Sequence, residues 1–160
     1  MKPQRNNFCK FWTTLLILCT LDQTTKYLAR TQCFGQCAFP ITILENWIYF
    51  VPSFNTGAAW GMFSKNARAL GMLGCLALVA IFLARKRLEL FTNQYVFGAI
   101  CGGIIGNIID RLVFGCVTDF IDVNLQVYRW PTFNVADSAI CIGVIYYAIK
   151  THFKSTNNCQ

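Results

Sequence analysis

Charged residues are scarce in this sequence, and acidic residues are the scarcest of them. Only 13% of the 160 residues are charged and seven are Asp or Glu, whereas 55% are hydrophobic. Soluble globular domains carry about 25% charged residues, so this composition excludes an ordinary soluble domain and predicts a membrane protein. Histidine is nearly absent: His152 stands alone, which leaves too few ligands for a zinc site, and we expect no metal and no cofactor.

The sequence also lacks repeats, low-complexity tracts and linkers, so we expect residues 1–160 to form a single domain. Its net charge of +7 comes from basic residues that lie between apolar runs. That distribution is typical of membrane topology signals, so we expect no nucleic-acid partner. Nine cysteines are scattered, and the one close pair outside an apolar run, Cys33 and Cys37, is weak support for either a metal or a disulfide.

Four apolar segments predict transmembrane helices, over about residues 11–28, 69–84, 90–109 and 134–149. Because a basic start precedes a Leu-rich run, a cleavable signal peptide is the alternative for the first segment. Leu18 stands before Cys19, where a lipobox has a small residue, so we interpret this segment as a retained helix.

Basic residues give the expected topology. They precede the first segment (Lys10), separate the second from the third (85–87) and follow the fourth (Lys150). The positive-inside rule then predicts cytoplasmic N and C termini and places the longer connections, about residues 30–66 and 110–133, on the outer side.

The first outer connection has the composition of β-structure. Residues 41–44 and 47–51 are rich in β-branched and aromatic side chains and are bounded by Pro40 and Pro52. They predict a small sheet at the membrane surface, with an amphipathic platform as the alternative. The expected fold class is an all-α membrane protein with four transmembrane helices and a small extracytoplasmic β-sheet and loop platform.

The few acidic residues are predicted to converge on one layer near the outer face. Asp22 lies 12 residues after the last basic residue before its segment, a rise of about 18 Å. Asp137 lies 13 residues before the basic residue that ends its segment, about 20 Å from the same boundary. Asp110 falls at the outer rim, and Asp119 follows a turn back toward it. Carboxylates at membrane depth are costly and mark functional sites.

Asp119 and Asp137 are candidates for an aspartyl dyad. Two carboxylates held close together share a proton, so one accepts a proton from water while the other donates one to a carbonyl oxygen. The alternative is structural: Asp137 caps the fourth helix and Asp119 is a solvated loop residue.

A second polar cluster ends the third segment. Gly102 and Gly106 have the spacing of a close helix contact. Asn107 is a candidate hydrogen-bond donor to a carboxylate, and Arg111 a candidate to hold a substrate carbonyl or phosphate. The alternative for Asp110 and Arg111 is an anchor at the membrane interface.

Two shorter polar clusters remain. Asn55 opens the Asn- and Gly-rich run 55–61, which is either a substrate-orienting loop or an ordinary turn. Asp22 and Lys26 are spaced i, i+4, which favours a structural ion pair within one helix face.

Together these clusters resemble the lipoprotein signal peptidases (signal peptidase II). The shared motifs occur in the order of that family and span residues 22 to 138: DQTTK, NTGAAW, GGIIGNIIDR, VTDF and FNVADS. The resemblance implies an intramembrane aspartyl endopeptidase that cleaves a signal peptide just before a lipid-modified cysteine.

The same resemblance implies roles for individual residues. It implies that Asp119 and Asp137 are catalytic. It also implies two further groups of positions: for substrate binding Asn55, Asn107, Arg111 and Asn134, and for structure Asp22, Lys26, Gly103 and Asp110.

The implied partners are diacylglyceryl-modified prolipoproteins and membrane lipid, and we expect a monomer in the bacterial inner membrane with its site near the outer face. Asp122 departs from the simple pattern, because a third carboxylate near the dyad would couple to its protonation. Two other classes fit less well. A small transporter would have carboxylates at several depths, and a non-enzymatic assembly factor would tolerate loss of either aspartate.

Overall fold

The computed structural model describes residues 3–34, 40–57, 66–84 and 93–157. Within these ranges the chain forms four helices and four strands, in the order α1 (Pro3–Phe34), β1 (Ile41–Leu44), β2 (Ile48–Asn55), α2 (Ala67–Ala84), α3 (Gln94–Val113), β3 (Val117–Asn124), β4 (Arg129–Phe133) and α4 (Val135–Asn157). Cys37, the side chain of Cys33 and the predicted helix start at residue 90 lie outside the described part.

The helices overlap the four apolar segments but are longer at several ends. α1 extends beyond residues 11–28 in both directions, and α3 runs four residues past Ile109. Among the described helices, α2 and α3 are long and apolar enough to cross a membrane, with mean hydropathies of 2.1 and 1.6. Many apolar side chains point away from the protein: Leu76, Leu83 and Ile142 are 64%, 78% and 68% exposed.

The central helix of the fold is α3, which packs against α1, α2 and α4. Glycines make these contacts close. A Cβ atom on Gly102 would lie 2.8 Å from the carbonyl oxygen of Leu15 in α1, and one on Gly106 would overlap the carboxylate of Asp22. The close contact predicted from Gly102 and Gly106 is therefore confirmed.

A neighbouring glycine does the same for α4. A Cβ atom on Gly103 would lie 2.7 Å from the carbonyl oxygen of Ala136, so α3 and α4 meet closely where the acidic residues lie.

At the other end of the bundle, an aromatic cluster joins three helices. Phe11 packs with its ring centroid 5.0 Å from Phe97 and 5.9 Å from Phe82.

The four strands form one antiparallel sheet in the order β1-β2-β3-β4. The sequence predicted β1 and the first half of β2 but neither β3 nor β4. The expectation that Pro52 bounds the strand was wrong, because Pro52 lies inside β2. A bulge between Phe50 and Ser53 interrupts the ladder there, so the missing N–H of proline is accommodated. Trp47, expected in the strand, lies in the preceding turn.

Candidate active site

Asp119 lies on β3, where the sheet meets the helices, and is only 3% exposed. Ser53 on β2 is its Cα partner in the ladder, so that strand pairing brings the end of β2 beside it. Asn55 donates from Nδ2 to Oδ2 of Asp119 at 3.2 Å. Asn134 donates from Nδ2 to Oδ1 at 2.7 Å. Both carboxylate oxygens of Asp119 therefore accept an amide N–H.

Asp137 lies in the first turn of α4, three residues after Asn134. The two residues form a reciprocal cap: the backbone N–H of Asp137 donates to Oδ1 of Asn134 at 3.0 Å, and the backbone N–H of Asn134 donates to Oδ2 of Asp137 at 3.3 Å. Asn107 donates from Nδ2 to Oδ1 of Asp137 at 2.8 Å. The capping role weighed for Asp137 is thus present, and its carboxylate also faces into the site.

Asn134 links the two aspartates. Its side-chain Nδ2 donates to Asp119, while its backbone N–H and its side-chain oxygen Oδ1 bond with Asp137. The alternative that Asp119 is a solvated loop residue was wrong, since the residue is buried in a strand. Burial is the main cause that raises the pKa of Asp119 from its ordinary 3.8 to about 6; the nearby charge of Asp137 adds to the rise, and the amides of Asn55 and Asn134 oppose it. Such a carboxyl group keeps its proton to a higher pH than an ordinary aspartate does.

A buried ionic network lies directly behind this site. Lys26 is fully buried, with Nζ 2.9 Å from Asp22 and 3.5 Å from Asp110. The structural i, i+4 pair predicted for Asp22 and Lys26 is confirmed. Oδ1 of Asp22 also accepts the backbone N–H of Ala136, which ties α1 to the start of α4.

Asp110 is fully buried and is not an interface anchor with Arg111. It accepts from the backbone N–H of Thr118 at 2.9 Å and pairs with Nη1 of Arg30 at 3.3 Å. Sequence reasoning missed Arg30 and Thr118. The available signal was spacing, since Arg30 follows Lys26 by four residues and so lies on the same face of α1.

Arg111 is held weakly beside the dyad. Its guanidinium donates at 3.4 Å to the carbonyl oxygen of Asn107 and at 3.5 Å to that of Gly57. Its Nε is buried and has no hydrogen-bond partner among the described residues. The remaining residues of the substrate-loop motif, Ala58 to Trp60, lie outside the described ranges.

Asp122 does not belong to this cluster. Asp122 lies three residues after Asp119, and residues three apart on a strand point to opposite faces of the sheet. Its Oδ1 lies 3.0 Å from Nε of Arg129, which makes an ion pair without a directional hydrogen bond. The expected coupling of Asp122 to the dyad therefore has no contact to support it. In the described part of the chain, no three His, Cys, Asp or Glu residues are grouped so as to hold a metal ion.

The site is thus a pair of carboxylates, Asp119 buried and Asp137 half-buried, served by asparagine amides at one end of a helix bundle. The sequence-family model of signal peptidase (SPase) II matches residues 14–153 of this chain. This chain belongs to the signal peptidase II family. It is 38% identical to the lipoprotein signal peptidase of Thermodesulfovibrio yellowstonii over 86% of this chain and 90% of that protein. A similar relative, from Nostoc punctiforme, is 38% identical over 91% of this chain and 90% of that protein.

Solved structures agree with this assignment to signal peptidase II. A bacterial membrane enzyme determined at 2.3 Å has a TM-score of 0.72 and 30% sequence identity, with 92% of this chain and 90% of that chain covered. A second, at 1.9 Å, has a TM-score of 0.71 and 28% identity over 87% and 90%. As a member of the signal peptidase II family, the chain is a protease, and its mostly helical fold with a small antiparallel sheet is that of a membrane enzyme.

Proposed function

We propose that this chain removes the signal peptides of prolipoproteins by cleaving just before the diacylglyceryl-modified cysteine, with Asp119 and Asp137 as the catalytic dyad. The observation that carries the residue assignment is the double contact of Asn134 with both carboxylates. The relatives named lipoprotein signal peptidase support the reaction.

The reaction needs one protonated and one ionised carboxyl group. A water molecule between them gives a proton to the ionised group as its oxygen attacks the scissile carbonyl carbon, while the protonated group donates to the carbonyl oxygen. The raised pKa of Asp119, about 6, supports a dyad that retains one proton to a higher pH than an ordinary aspartate would. No covalent intermediate is required.

The asparagines expected to bind substrate contact the carboxylates directly. Asn55 and Asn134 serve Asp119, and Asn107 serves Asp137, so we assign them to holding the dyad. Arg111 is the better candidate for substrate, because its buried Nε lacks a partner among the described residues and its other contacts are long. A guanidinium there suits a substrate carbonyl or the ester oxygens of the modified cysteine.

The polar end of the bundle also supports the topology proposed from sequence. Asp22, Asp110, Asp119 and Asp137 gather at the end where the sheet lies, and Lys10 and Lys150 lie 12 and 13 residues away from Asp22 and Asp137 along α1 and α4. Four spans with cytoplasmic termini then place the site and the sheet near the outer face, where the modified cysteine of a prolipoprotein lies. We propose that a monomer suffices, since these contacts come from one chain.

The test is cleavage of a diacylglyceryl-modified lipobox peptide by purified protein in detergent. We expect the wild type to cleave before the modified cysteine and Asp119→Asn and Asp137→Asn each to lose activity by at least about 10³-fold while remaining folded. The matched control is Asp122→Asn, a buried aspartate on the same strand but the opposite face, which should retain turnover within about twofold. Near-wild-type cleavage by either dyad variant would rule out the dyad.

A further inference from the structure

Three asparagine amides donate to the dyad, and each is held in one orientation by a donor on its carbonyl side. Oδ1 of Asn55 accepts the backbone N–H of Gly57 at 2.9 Å, and Oδ1 of Asn134 accepts that of Asp137 at 3.0 Å. Their Nδ2 atoms are therefore fixed toward Asp119. The carbonyl oxygen of Asn107 is different, because its closest donor, at 2.8 Å, is not a backbone N–H but the ammonium of Lys26.

Lys26 is the closer of two donors that orient the Asn107 amide; the other, Nδ2 of Asn134, lies 3.4 Å from the same oxygen. An ammonium group has three donors and no acceptor, so only the carbonyl end of the amide can face it. The Nδ2 of Asn107 then points toward Oδ1 of Asp137, at 2.8 Å. Lys26 and Asn107 are buried, so water does not compete for the contact between them. The ammonium also polarises the amide and strengthens its donation to Asp137.

Lys26 acts on both aspartates, by different routes. The cations that act on the dyad are Lys26 and Arg111, while Asp22 and Asp110 face Lys26 from the other side. The charge of Lys26 lowers the pKa of Asp119, but burial and the charge of Asp137 outweigh it. Asp137 receives the amide that Lys26 polarises and a backbone N–H at the positive end of α4. Among the described residues, Asp119 receives two amides that Lys26 does not hold, and it is the more completely buried of the two aspartates.

We infer that Lys26 is a positioning residue of the active site: by holding the Asn107 amide it keeps Asp137 as the ionised base and leaves the shared proton on Asp119. This inference rests on the proposed aspartyl mechanism and assigns its two roles. Water oxygen bonds to the carbonyl carbon as its proton passes to Asp137, and Asp119 gives its proton to the carbonyl oxygen. On collapse, the C–N bond breaks, Asp137 returns its proton to the leaving nitrogen, and a hydroxyl proton of the gem-diol returns to Asp119.

A simple Lys26 substitution would leave Asp22 buried without its partner, so the test is made in an Asp22→Asn background. There, Lys26→Gln and Lys26→Met remove the same charge and introduce side chains of equal length. The buried network keeps the balanced pair Arg30 and Asp110 in both. Of the two replacement side chains at position 26, only glutamine can still donate a hydrogen bond to the side-chain oxygen of Asn107.

We expect the Gln variant to retain about tenfold higher kcat than the Met variant, with similar KM and equal thermal stability. The acid limb of the pH–rate profile should lie at higher pH in the Met variant, because its ionised base has lost an oriented donor. In an Asn107→Leu background, which has no amide to orient, the two variants should be equally active. Equal kcat with Asn107 present, or an unchanged difference in the Leu background, would overturn the inference.

Asn107→Asp provides a second route if the Lys26 variants do not fold. It keeps a partner for Lys26 but cannot donate to Asp137, so we expect loss of kcat by at least about 100-fold in a folded protein. Near-wild-type kcat would again refute the role of the amide. Asp119→Asn and Asp137→Asn are assayed alongside. If either of these two variants is active, the assignment of the dyad is wrong. If both are inactive but the Lys26→Gln and Lys26→Met variants have equal kcat, only the role of Lys26 is refuted.

Discussion

Replacing Asp119 by asparagine should remove a pH-dependent instability that the active site imposes on the fold. Asp119 has a pKa of about 6 in the folded protein, above its ordinary 3.8. When both states are protonated, at pH below about 4, the group contributes no difference in stability. Between about pH 4 and pH 6 the unfolded state loses this proton while the folded state keeps it, so stability falls, and above about pH 6 the loss is complete.

The size of this effect follows from the two pKa values. The difference between pKa values of 3.8 and about 6 lowers the free energy of unfolding by about 3 kcal/mol at pH 8. At pH 4 the same effect lowers it by less than about 1 kcal/mol. The substitution also places an amide against other amide donors, but that cost does not vary with pH. Relative to the wild type, Asp119→Asn should therefore gain about 2 kcal/mol between pH 4 and pH 8, or roughly 4–8 °C in thermal midpoint.

The assay is thermal unfolding of wild type and Asp119→Asn in one detergent at several pH values, followed by tryptophan fluorescence. Asp122→Asn is the control, since its side chain pairs with the exposed Arg129 away from the dyad. A stability difference between wild type and Asp119→Asn that is the same at pH 4 and pH 8 would show that ionisation of Asp119 does not cost the folded state stability.

Two further predictions concern the chemistry and the packing. In the proposed mechanism Asp119 donates its proton, so kcat/KM of the wild type should decline as the pH rises above about 6, and a profile flat to pH 8 would contradict this assignment. Gly103→Ala should lower the free energy of unfolding by about 1–3 kcal/mol, because its Cβ would lie 2.7 Å from the carbonyl oxygen of Ala136; an unchanged thermal midpoint would show that α3 and α4 separate without cost.

The helices were largely predictable because uninterrupted apolar runs have few alternatives. The length of α1 was not, since Asp22, Lys26 and Arg30 break its hydrophobic pattern. Their four-residue spacing lets all three point into the protein, where Lys26 pairs with Asp22 and both Lys26 and Arg30 pair with Asp110. Counting charges without considering the helix face hides this arrangement.

The strands β3 and β4 escaped prediction for a different reason. Consecutive residues from Val117 to Phe120 are all buried, so side chains on both faces of β3 are covered and its burial shows no alternation. The motifs named aspartates and asparagines that the structure brings together, but not which of them contact each other. The contact of Asn55 with Asp119 joins residues 64 positions apart and depends on the pairing of β2 with β3.

The buried ion pair of α1 has a consequence for biosynthesis. Asp22 and Lys26 belong to one helix, so their charges are already matched when that helix has formed and before the rest of the bundle is synthesised. Asp110 is synthesised later, within α3, and finds its cations Lys26 and Arg30 on a helix that already exists. The order of the chain thus supplies each buried carboxylate of this network with a counter-charge as soon as it is made, which lowers the cost of burying it.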